Sequence, residues 1–258
     1  MTLRPLISGL PQEAPKQILH LLASAPVYDS SCSPEARVYF IDKDGGYFLK
    51  TAKKGSLEAE AKMTAYFHQK GIGAEVLAYE SDTADWFLTA KVQGKDCTDE
   101  RYLSSPARLC DTLAAELRKL HELDFCDCPV SDRMQGYFDT VNANYKAKQY
   151  DLSFAKYATA EDAFAAFERG KGLLKDKVLL HGDYCLPNVI LDDWKLSAFI
   201  DVGNGGVGDR HIDLFWGAWT LRFNLNTNAY RRRFLDAYGR DQVNEDAIAA
   251  IAAAEVFG

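Results

Sequence analysis

The stretch HGDYCLPN at residues 181–188 constrains this chain more than any other feature of its sequence. It carries Asp183 and Asn188 five residues apart, in a segment broken by a glycine and a proline and flanked by apolar runs. Such residues are common in surface turns, which is the simplest interpretation. A strand-like hairpin follows, however, and ends in FIDVG, so that Asp201 stands at its far end. One loop and one hairpin thus deliver three polar side chains.

Phosphoryl transfer needs such a set of side chains. An Asp accepts or orients the proton of the attacking hydroxyl, while an amide oxygen and a second carboxylate hold Mg²⁺. The same chemistry predicts a Lys on a strand elsewhere, held by a Glu of the following helix. Lys50 ends the strand-like segment GYFLK, and the next helical segment offers Glu58 and Glu60. The sequence therefore favours a phosphotransferase over a surface turn.

Composition narrows the class of protein further. The chain has 258 residues, 47% of them hydrophobic and 26% charged, which is typical of a globular protein of one large domain or two lobes. A net charge of -7 argues against nucleic acid as a partner and favours cationic ligands. Apolar runs are too short to span a membrane. Six scattered cysteines without zinc spacing predict reduced thiols in a cytoplasmic protein.

The pattern of apolar residues changes character near residue 92. Before it, 36–52 and 74–92 are typical of antiparallel strand pairs. Between them, 56–71 is typical of a helix with Ser56 as N-cap and Gly71 as C-cap. After it, helices are predicted at 105–123, 132–149, 160–169, 210–223, 227–238 and 245–257, interrupted by strands at 189–192 and 197–201. The fold class is therefore α+β, with a β-rich half and a mostly helical half.

HGDYCLPN followed by FIDVG resembles the signature of aminoglycoside phosphotransferases, and the 3′-phosphotransferases are the most similar branch. The segments VYFIDKDGGYFLK, LTAKVQGKDCT, LRKLHELDFCDCP and GDRHIDLFWGAW are similar to further parts of that family, so the resemblance covers about residues 20–257. It implies a protein-kinase-like, two-lobed fold. The N-lobe would be 1–92, β-rich with one helix and nucleotide-binding, and the C-lobe would be 93–258, mostly helical.

The resemblance also implies roles for the residues of the signature. Asp183 would be the catalytic residue, and Asn188 and Asp201 would hold Mg²⁺. Lys50 would contact the phosphates of ATP or GTP and pair, by register, with Glu60.

Two further segments of the N-lobe would complete the nucleotide site. The loop SSCSPEAR at 30–37, with Ser33, would cover the phosphates. The hinge at Thr89–Val92 would offer backbone groups to the adenine.

The acceptor region departs from the family, whose acceptors are polycations held by acidic groups. Asn204 stands where the family often has an Arg after Ile-Asp-x-Gly, and Phe223 and Asn224 replace expected acids. The acids that remain as candidates for acceptor binding are Glu255 and Asp151, and Asn204 joins them.

Three functions stay open on the sequence alone. The first is an aminoglycoside O-phosphotransferase with a nucleotide and a small molecule as its only partners, active as a monomer or dimer. The second is a kinase of a less cationic hydroxyl compound, with Trp216, Trp219, Phe223 and Tyr230 as an apolar wall, although core packing is the preferred interpretation for these aromatic residues. The third is a nucleotide-binding protein without kinase activity.

Overall fold

The computed structural model describes residues 5–32, 34–154 and 156–258. The strands are β1 Leu6–Ile7, β2 Val27–Asp29, β3 Ala36–Ile41, β4 Tyr47–Lys53, β5 Val76–Ser81, β6 Ala84–Ala90, β7 Lys95–Asp96, β8 Val178–Leu180, β9 Val189–Asp192, β10 Lys195–Phe199 and β11 Gly206–Gly208. The α-helices are α1 Lys16–Leu21, α2 Glu58–Gln69, α3 Glu100–Leu103, α4 Pro106–His121, α5 Arg133–Ala147, α6 Ala160–Gly170, α7 His211–Leu225, α8 Arg231–Gly239 and α9 Glu245–Ala254.

The chain divides into two compact units. Unit 1 comprises the residues up to Lys95 together with Ile190–Gly203, and unit 2 comprises Asp96–Val189 and Asn204–Gly258. The first break lies close to the boundary predicted after residue 92. The sequence did not indicate that the segment from Ile190 to Gly203 belongs with the β-rich unit.

Unit 1 is built on an antiparallel six-stranded sheet of order β1-β2-β3-β4-β6-β5. The predicted hairpin joins β3 to β4 through Asp44, Gly45 and Gly46, which all have positive φ angles of 48°, 96° and 106°. Glycine adopts such angles without steric cost, so the turn is encoded by its sequence. Because side chains alternate along β4, Leu49 is fully buried in the apolar core and Lys50 lies on the opposite face.

The start of α2 differs from the prediction. Ser56 is not its N-cap, because the helix begins after Leu57 without a side-chain cap, and the Ser56 hydroxyl donates to the Lys53 carbonyl at 2.6 Å. The buried carboxylate of Asp85 on β6 accepts from the backbone N–H groups of Gly55 at 2.9 Å and Leu57 at 2.8 Å instead. A side chain about thirty residues away thus satisfies the donors that precede this helix.

The returning segment of unit 1 is tied to the end of α2. The Phe199 backbone N–H donates to the Ile72 carbonyl at 2.8 Å, and Phe199 forms an isolated parallel bridge with Gly73. The Phe199 ring is buried and meets the Phe67 ring edge to face, with centroids 6.2 Å apart. These contacts fix β10, and therefore the backbone that leads to Asp201.

Unit 2 is mostly helical, as the sequence predicted. Leu109, Leu113, Leu117 and Leu120 are buried along one face of α4. A second core joins α5, α6 and α9 to the last residues of the chain, with Phe167, Phe257 and Ala253 fully buried. Strands β8 and β11 pair antiparallel. Strand β8 leads into the loop with Asp183 and Asn188, and β11 follows Asn204 and leads to α7.

Several element bounds differ from those predicted. The helix predicted at 245–257 ends at Ala254, and Glu255–Phe257 form a 3-10 turn. The helix predicted at 227–238 begins at Arg231, and the strand predicted at 197–201 is Lys195–Phe199. Short elements such as β1, β7 and β11 were not predicted, because two or three residues carry no periodic signal. In the described part of the chain, no helix combines the length and the apolar character needed to cross a bilayer.

Candidate active site

Within unit 1, Lys50 lies between two carboxylates. Its Nζ contacts Glu60 Oε2 at 2.8 Å and Oε1 at 3.0 Å, and Asp201 Oδ1 at 3.1 Å. Burial alone would lower the pKa of Lys50, but the charges of Asp201 and Glu60 outweigh it and the net shift is upward. The ammonium is therefore held as a fixed positive charge.

The three side chains of this cluster differ in exposure. Those of Lys50 and Glu60 are 22% and 12% exposed, whereas that of Asp201 is 53% exposed. Asp201 also has a left-handed backbone with φ of 54°, which is uncommon for a residue other than glycine and is concentrated at functional sites. The partner of Lys50 on α2 is Glu60, whereas Glu58 pairs with Lys62 along the helix surface.

Within unit 2, the loop after β8 holds Asp183 and Asn188 against each other. The Asn188 Nδ2 donates to the backbone carbonyl of Asp183 at 3.0 Å and to its Oδ2 at 2.9 Å. Both protons of the amide are thus used on Asp183, which leaves the amide oxygen of Asn188 as its acceptor for another ligand. The arrangement fixes the Asp183 carboxylate relative to the Asn188 amide.

A buried carboxylate on α7 accepts hydrogen bonds from the backbone of the same loop. Asp213 is fully buried, and its two oxygens accept from the backbone N–H groups of His181 and Gly182, both at 2.8 Å. It also faces His121 Nε2 at 3.1 Å, and His121 Nδ1 lies 2.8 Å from Tyr238 Oη. Burial lowers the pKa of His121. A neutral imidazole that donates to Asp213 and accepts from Tyr238 satisfies every group in this cluster.

A cavity of about 290 Å³ opens beside Asp183 in unit 2. It is lined by Arg133, Tyr137, Thr140, Val141, Gly182, Asp183, Asn204, Ile212, Trp216, Glu255 and Gly258. The cavity therefore brings together the predicted catalytic residue and two of the three predicted acceptor residues.

Glu255 is the buried acid of this cavity. Its Oε1 accepts from Tyr137 Oη at 2.8 Å, and Trp216 supplies a second hydrogen bond to the carboxylate. Burial raises the pKa of Glu255 to about 7, with a further contribution from the negative charge of Asp183. A cation in the cavity would offset both effects and favour the ionised carboxylate.

Asn204 and Arg133 form another part of the wall. Arg133 Nη2 donates to Asn204 Oδ1 at 2.7 Å. Gly182 packs so closely on Asn204 that a Cβ on Gly182 would lie 1.9 Å from the Asn204 carbonyl oxygen. Since Gly182 has a φ of 86°, only glycine fits this contact between Asn204 and the loop that carries Asp183.

The other predicted site residues that the structure describes, Asp151, Thr89 and Val92, do not line this cavity. The Asp151 carboxylate accepts from the Ser153 N–H at 2.8 Å, while the Asp151 N–H donates to Val256 O at 2.8 Å. Ser33 lies outside the described residues. Thr89 lies near the end of β6, opposite Phe48 of β4, and Val92 follows that strand.

Comparisons with known proteins show the family of the chain. The profile of the Phosphotransferase enzyme family matches residues 33–251. The chain is 49% identical over 251 residues to a "Probable aminoglycoside 3'-phosphotransferase" of Lactococcus lactis subsp. lactis (strain IL1403), and the match covers 96% of both chains. This chain belongs to the phosphotransferase enzyme family.

A more distant relative and a solved structure carry similar names. The chain is 29% identical to the "Aminoglycoside 3'-phosphotransferase" of Niallia circulans, over 91% of this chain and 93% of that protein. The crystal structure of an aminoglycoside-3'-phosphotransferase of type VIII matches with a TM-score of 0.76 and 25% identity, covering 91% of this chain and 94% of that one. The predicted family and the predicted α+β, kinase-like fold class are confirmed, and the protein is a phosphotransferase.

Sequence reasoning missed several residues that line this candidate site. Arg133 and Tyr137 lie at the start of α5, where the sequence carries no motif that connects them to Asp183. Trp216 lines the cavity, although core packing was the preferred interpretation. Phe223 is 68% exposed, so the interpretation as a core residue is wrong for Phe223.

A second polar cluster in unit 2 has the composition of a metal site but not its chemistry. Oxygen and nitrogen atoms of Asp176, Asp209 and His211 lie within 4.8 Å of one another. His211 uses Nδ1 on Asp209 Oδ1 at 2.6 Å and Nε2 on the Asn244 N–H at 2.9 Å, so neither ring nitrogen is available to a metal. Asp209 Oδ2 accepts from the Asp176 N–H at 2.9 Å. The cluster joins the starts of α7 and α9 through hydrogen bonds.

Proposed function

We propose that this phosphotransferase transfers the γ-phosphoryl group of ATP or GTP to a hydroxyl of an aminoglycoside. The observation that carries this proposal is the cavity beside Asp183, which contains a buried acid, Glu255, held by Tyr137 and Trp216. The relatives named as aminoglycoside 3'-phosphotransferases support the same acceptor.

The proposed reaction uses Asp183 to position the acceptor. Its carboxylate accepts a hydrogen bond from the acceptor hydroxyl and aligns the oxygen for attack on the γ-phosphorus. The new O–P bond forms as the bond to the β-phosphate bridging oxygen breaks, and the nucleoside diphosphate leaves. The hydroxyl proton passes to Asp183 and then to solvent. Lys50, charged and clamped by Glu60, would hold the phosphates of the donor.

Asn188 and Asp201 fit the ligand chemistry of Mg²⁺. Asn188 spends its amide protons on Asp183 and keeps its oxygen, and Asp201 is a half-exposed carboxylate. Mg²⁺ bound there would neutralise charge on the phosphates in transfer. The hinge at Thr89–Val92 would take the adenine, and the loop with Ser33 would cover the phosphates.

The acceptor would bind through its ammonium groups. An ionised Glu255 in a half-closed cavity is a strong partner for a cation, because the low dielectric strengthens their attraction. Asn204 would contribute a polar part of the cavity wall. Asp151 caps a backbone turn outside the cavity, so its proposed part in acceptor binding is limited to long-range attraction.

Asp183→Asn tests the proposal directly. We expect it to lower acceptor-dependent release of ADP or GDP by at least about a hundredfold while nucleotide affinity changes little, because the amide cannot accept the hydroxyl proton. Turnover would be measured with Mg²⁺ on two-ring and three-ring aminoglycosides beside uncharged and aromatic hydroxyl compounds. The matched control is Asp139→Asn on α5, which does not line the cavity.

The same assay separates the second candidate function. Trp216 in the cavity wall favours a less cationic acceptor with an apolar face. Turnover on uncharged compounds alone would establish that function and remove the aminoglycoside. Near wild-type turnover of Asp183→Asn would contradict both.

A further inference from the structure

The cavity lined by Asp183 and Glu255 is also lined by a positively charged side chain, that of Arg133. Arg133 is half-buried, lines the cavity, and donates through Nη2 to a neutral group, Asn204 Oδ1, at 2.7 Å. No carboxylate of the described residues of unit 2 lies within ion-pair distance of its guanidinium. Burial lowers the pKa of Arg133, with no acid to offset it.

The position of Arg133 is imposed by the backbone around it. Val207 N–H donates to the Val130 carbonyl at 2.8 Å, just ahead of α5. A Cβ on Gly206 would meet Val130 Cγ1 at 2.7 Å, so only a glycine allows the two segments to lie this close. The segment after Asn204 thus holds the start of α5, and Asn204 itself is packed against Gly182 of the loop that carries Asp183. Arg133 is held at a fixed place relative to Asp183.

An unpaired guanidinium is unfavourable in a cavity that receives a polycation. Two like charges in a low-dielectric site repel each other, and a half-buried Arg normally has an acid or a phosphate as partner. The proposed reaction brings an anion to this place, because the phosphoryl group reaches the acceptor oxygen next to Asp183. Its equatorial oxygens carry the charge that a guanidinium fork binds well.

We infer that Arg133 is a catalytic residue whose guanidinium binds the phosphoryl group in transfer, with Asn204 Oδ1 orienting it. This inference rests on the proposed function. Arg133 takes up no proton and forms no covalent bond; it stabilises the charge on the phosphoryl oxygens while the acceptor O–P bond forms and the bond to the nucleoside diphosphate breaks.

The experiment compares the kcat of a set of variants at saturating acceptor, with the nucleotide concentration varied to give its KM. Arg133→Met is expected to lower kcat by about tenfold to a thousandfold, with the KM for the nucleotide changed less than about threefold. Arg133→Lys keeps the charge without the forked guanidinium, and its kcat is expected to lie between those of the wild type and Arg133→Met. Arg232→Met on α8 is the control, because its side chain is 89% exposed and lies outside the cavity.

A relocated charge distinguishes this role from packing. Arg133→Met combined with Asn204→Arg brings a guanidinium to the same spot from the neighbouring segment, since the two side chains touch in the native chain. We expect the kcat of the double variant to be at least about tenfold higher than that of Arg133→Met. Equal losses in Arg133→Lys, Arg133→Met and the double variant would assign Arg133 to packing and overturn the inference, as would a kcat of Arg133→Met within about twofold of wild type.

The same proteins separate this inference from the proposed function. If the wild type phosphorylates no aminoglycoside, the proposed acceptor fails, and the slow acceptor-free release of ADP still reports on Arg133, because water then receives the same phosphoryl group. A loss of that release in Arg133→Met with recovery in the double variant supports the inference; unchanged release overturns it.

Discussion

At the scale of single residues, the free energy of this fold depends on pH through Glu255. Its pKa in the folded protein is about 7, against an ordinary value of 4.5. Between these values the folded chain holds a proton that the unfolded chain has lost, so stability falls as pH rises through that window and is constant above it. The whole effect is on the order of 3 kcal/mol.

Glu255→Gln removes this dependence, because the amide stays neutral at every pH. We expect the free energy of unfolding of the variant, relative to wild type, to rise between pH 4.5 and 8 and then to level off. Urea unfolding across that range measures it, with the exposed Glu161→Gln on α6 as control. A difference that is the same at pH 5 and pH 8 would contradict a buried acid with a raised pKa.

The residues proposed to catalyse the reaction and to hold Mg²⁺ were the part of the candidate site most accessible from sequence. Asp183 and Asn188 share one loop, and Asp201 follows one hairpin later, so their spacing is fixed by local chain geometry. Arg133 reaches the same cavity from fifty residues away through a contact with Asn204. Asp213 holds the loop from α7, thirty residues further on. Such partners are set by tertiary packing, and no local pattern in the sequence reveals them.

At the scale of elements, the start of α2 depends on a strand rather than on its own sequence. Asp85→Ala would leave the N–H groups of Gly55 and Leu57 without their acceptor, and that of Leu57 is buried. We expect a loss of about 1–3 kcal/mol in the free energy of unfolding.

The matched variant is Ser56→Ala at the position that the sequence favoured. Because the Ser56 hydroxyl is exposed and donates to Lys53 O, we expect it to cost less than about 0.5 kcal/mol. Urea unfolding of both proteins decides the matter: a larger loss for Ser56→Ala than for Asp85→Ala would reverse the assignment of the cap.

Elements with a strong period were predicted well, and their ends were not. The apolar stripe of α4 and the β3–β4 hairpin carry their signal in ten or more consecutive residues. The last turn of the chain continues the apolar pattern of α9, yet it becomes a 3-10 turn in which Glu255 enters the cavity while Asn144 Nδ2 donates to the Phe257 carbonyl at 2.8 Å. That ending is decided by α5, which the local pattern does not contain.

At the scale of the whole molecule, unit 1 is assembled from two separate stretches of chain. A fragment of residues 1–95 lacks Phe199, which packs on Phe67, and Asp201, which holds Lys50. We expect this fragment to unfold without a cooperative transition, because a buried aromatic contact is worth about 3–5 kcal/mol and small domains are marginally stable.

The comparison is the same fragment with residues 190–203 attached through a Gly/Ser linker. Thermal unfolding followed by circular dichroism should show a cooperative transition in the extended fragment, and Phe199→Ala should abolish it. Equal transitions in both fragments would mean that the first stretch is sufficient on its own.

The divided course of unit 1 also bears on how genes of this family can recombine. A single exchange between two relatives near residue 95 would pass on Lys50 and Glu60 from one parent and Asp201 from the other. In the hybrid, the Phe67–Phe199 contact and the Lys50–Asp201 ion pair would each join residues that come from two different parents. Only an exchange at three points, or one between closely related parents, transfers unit 1 intact, so we expect the two stretches to be inherited together.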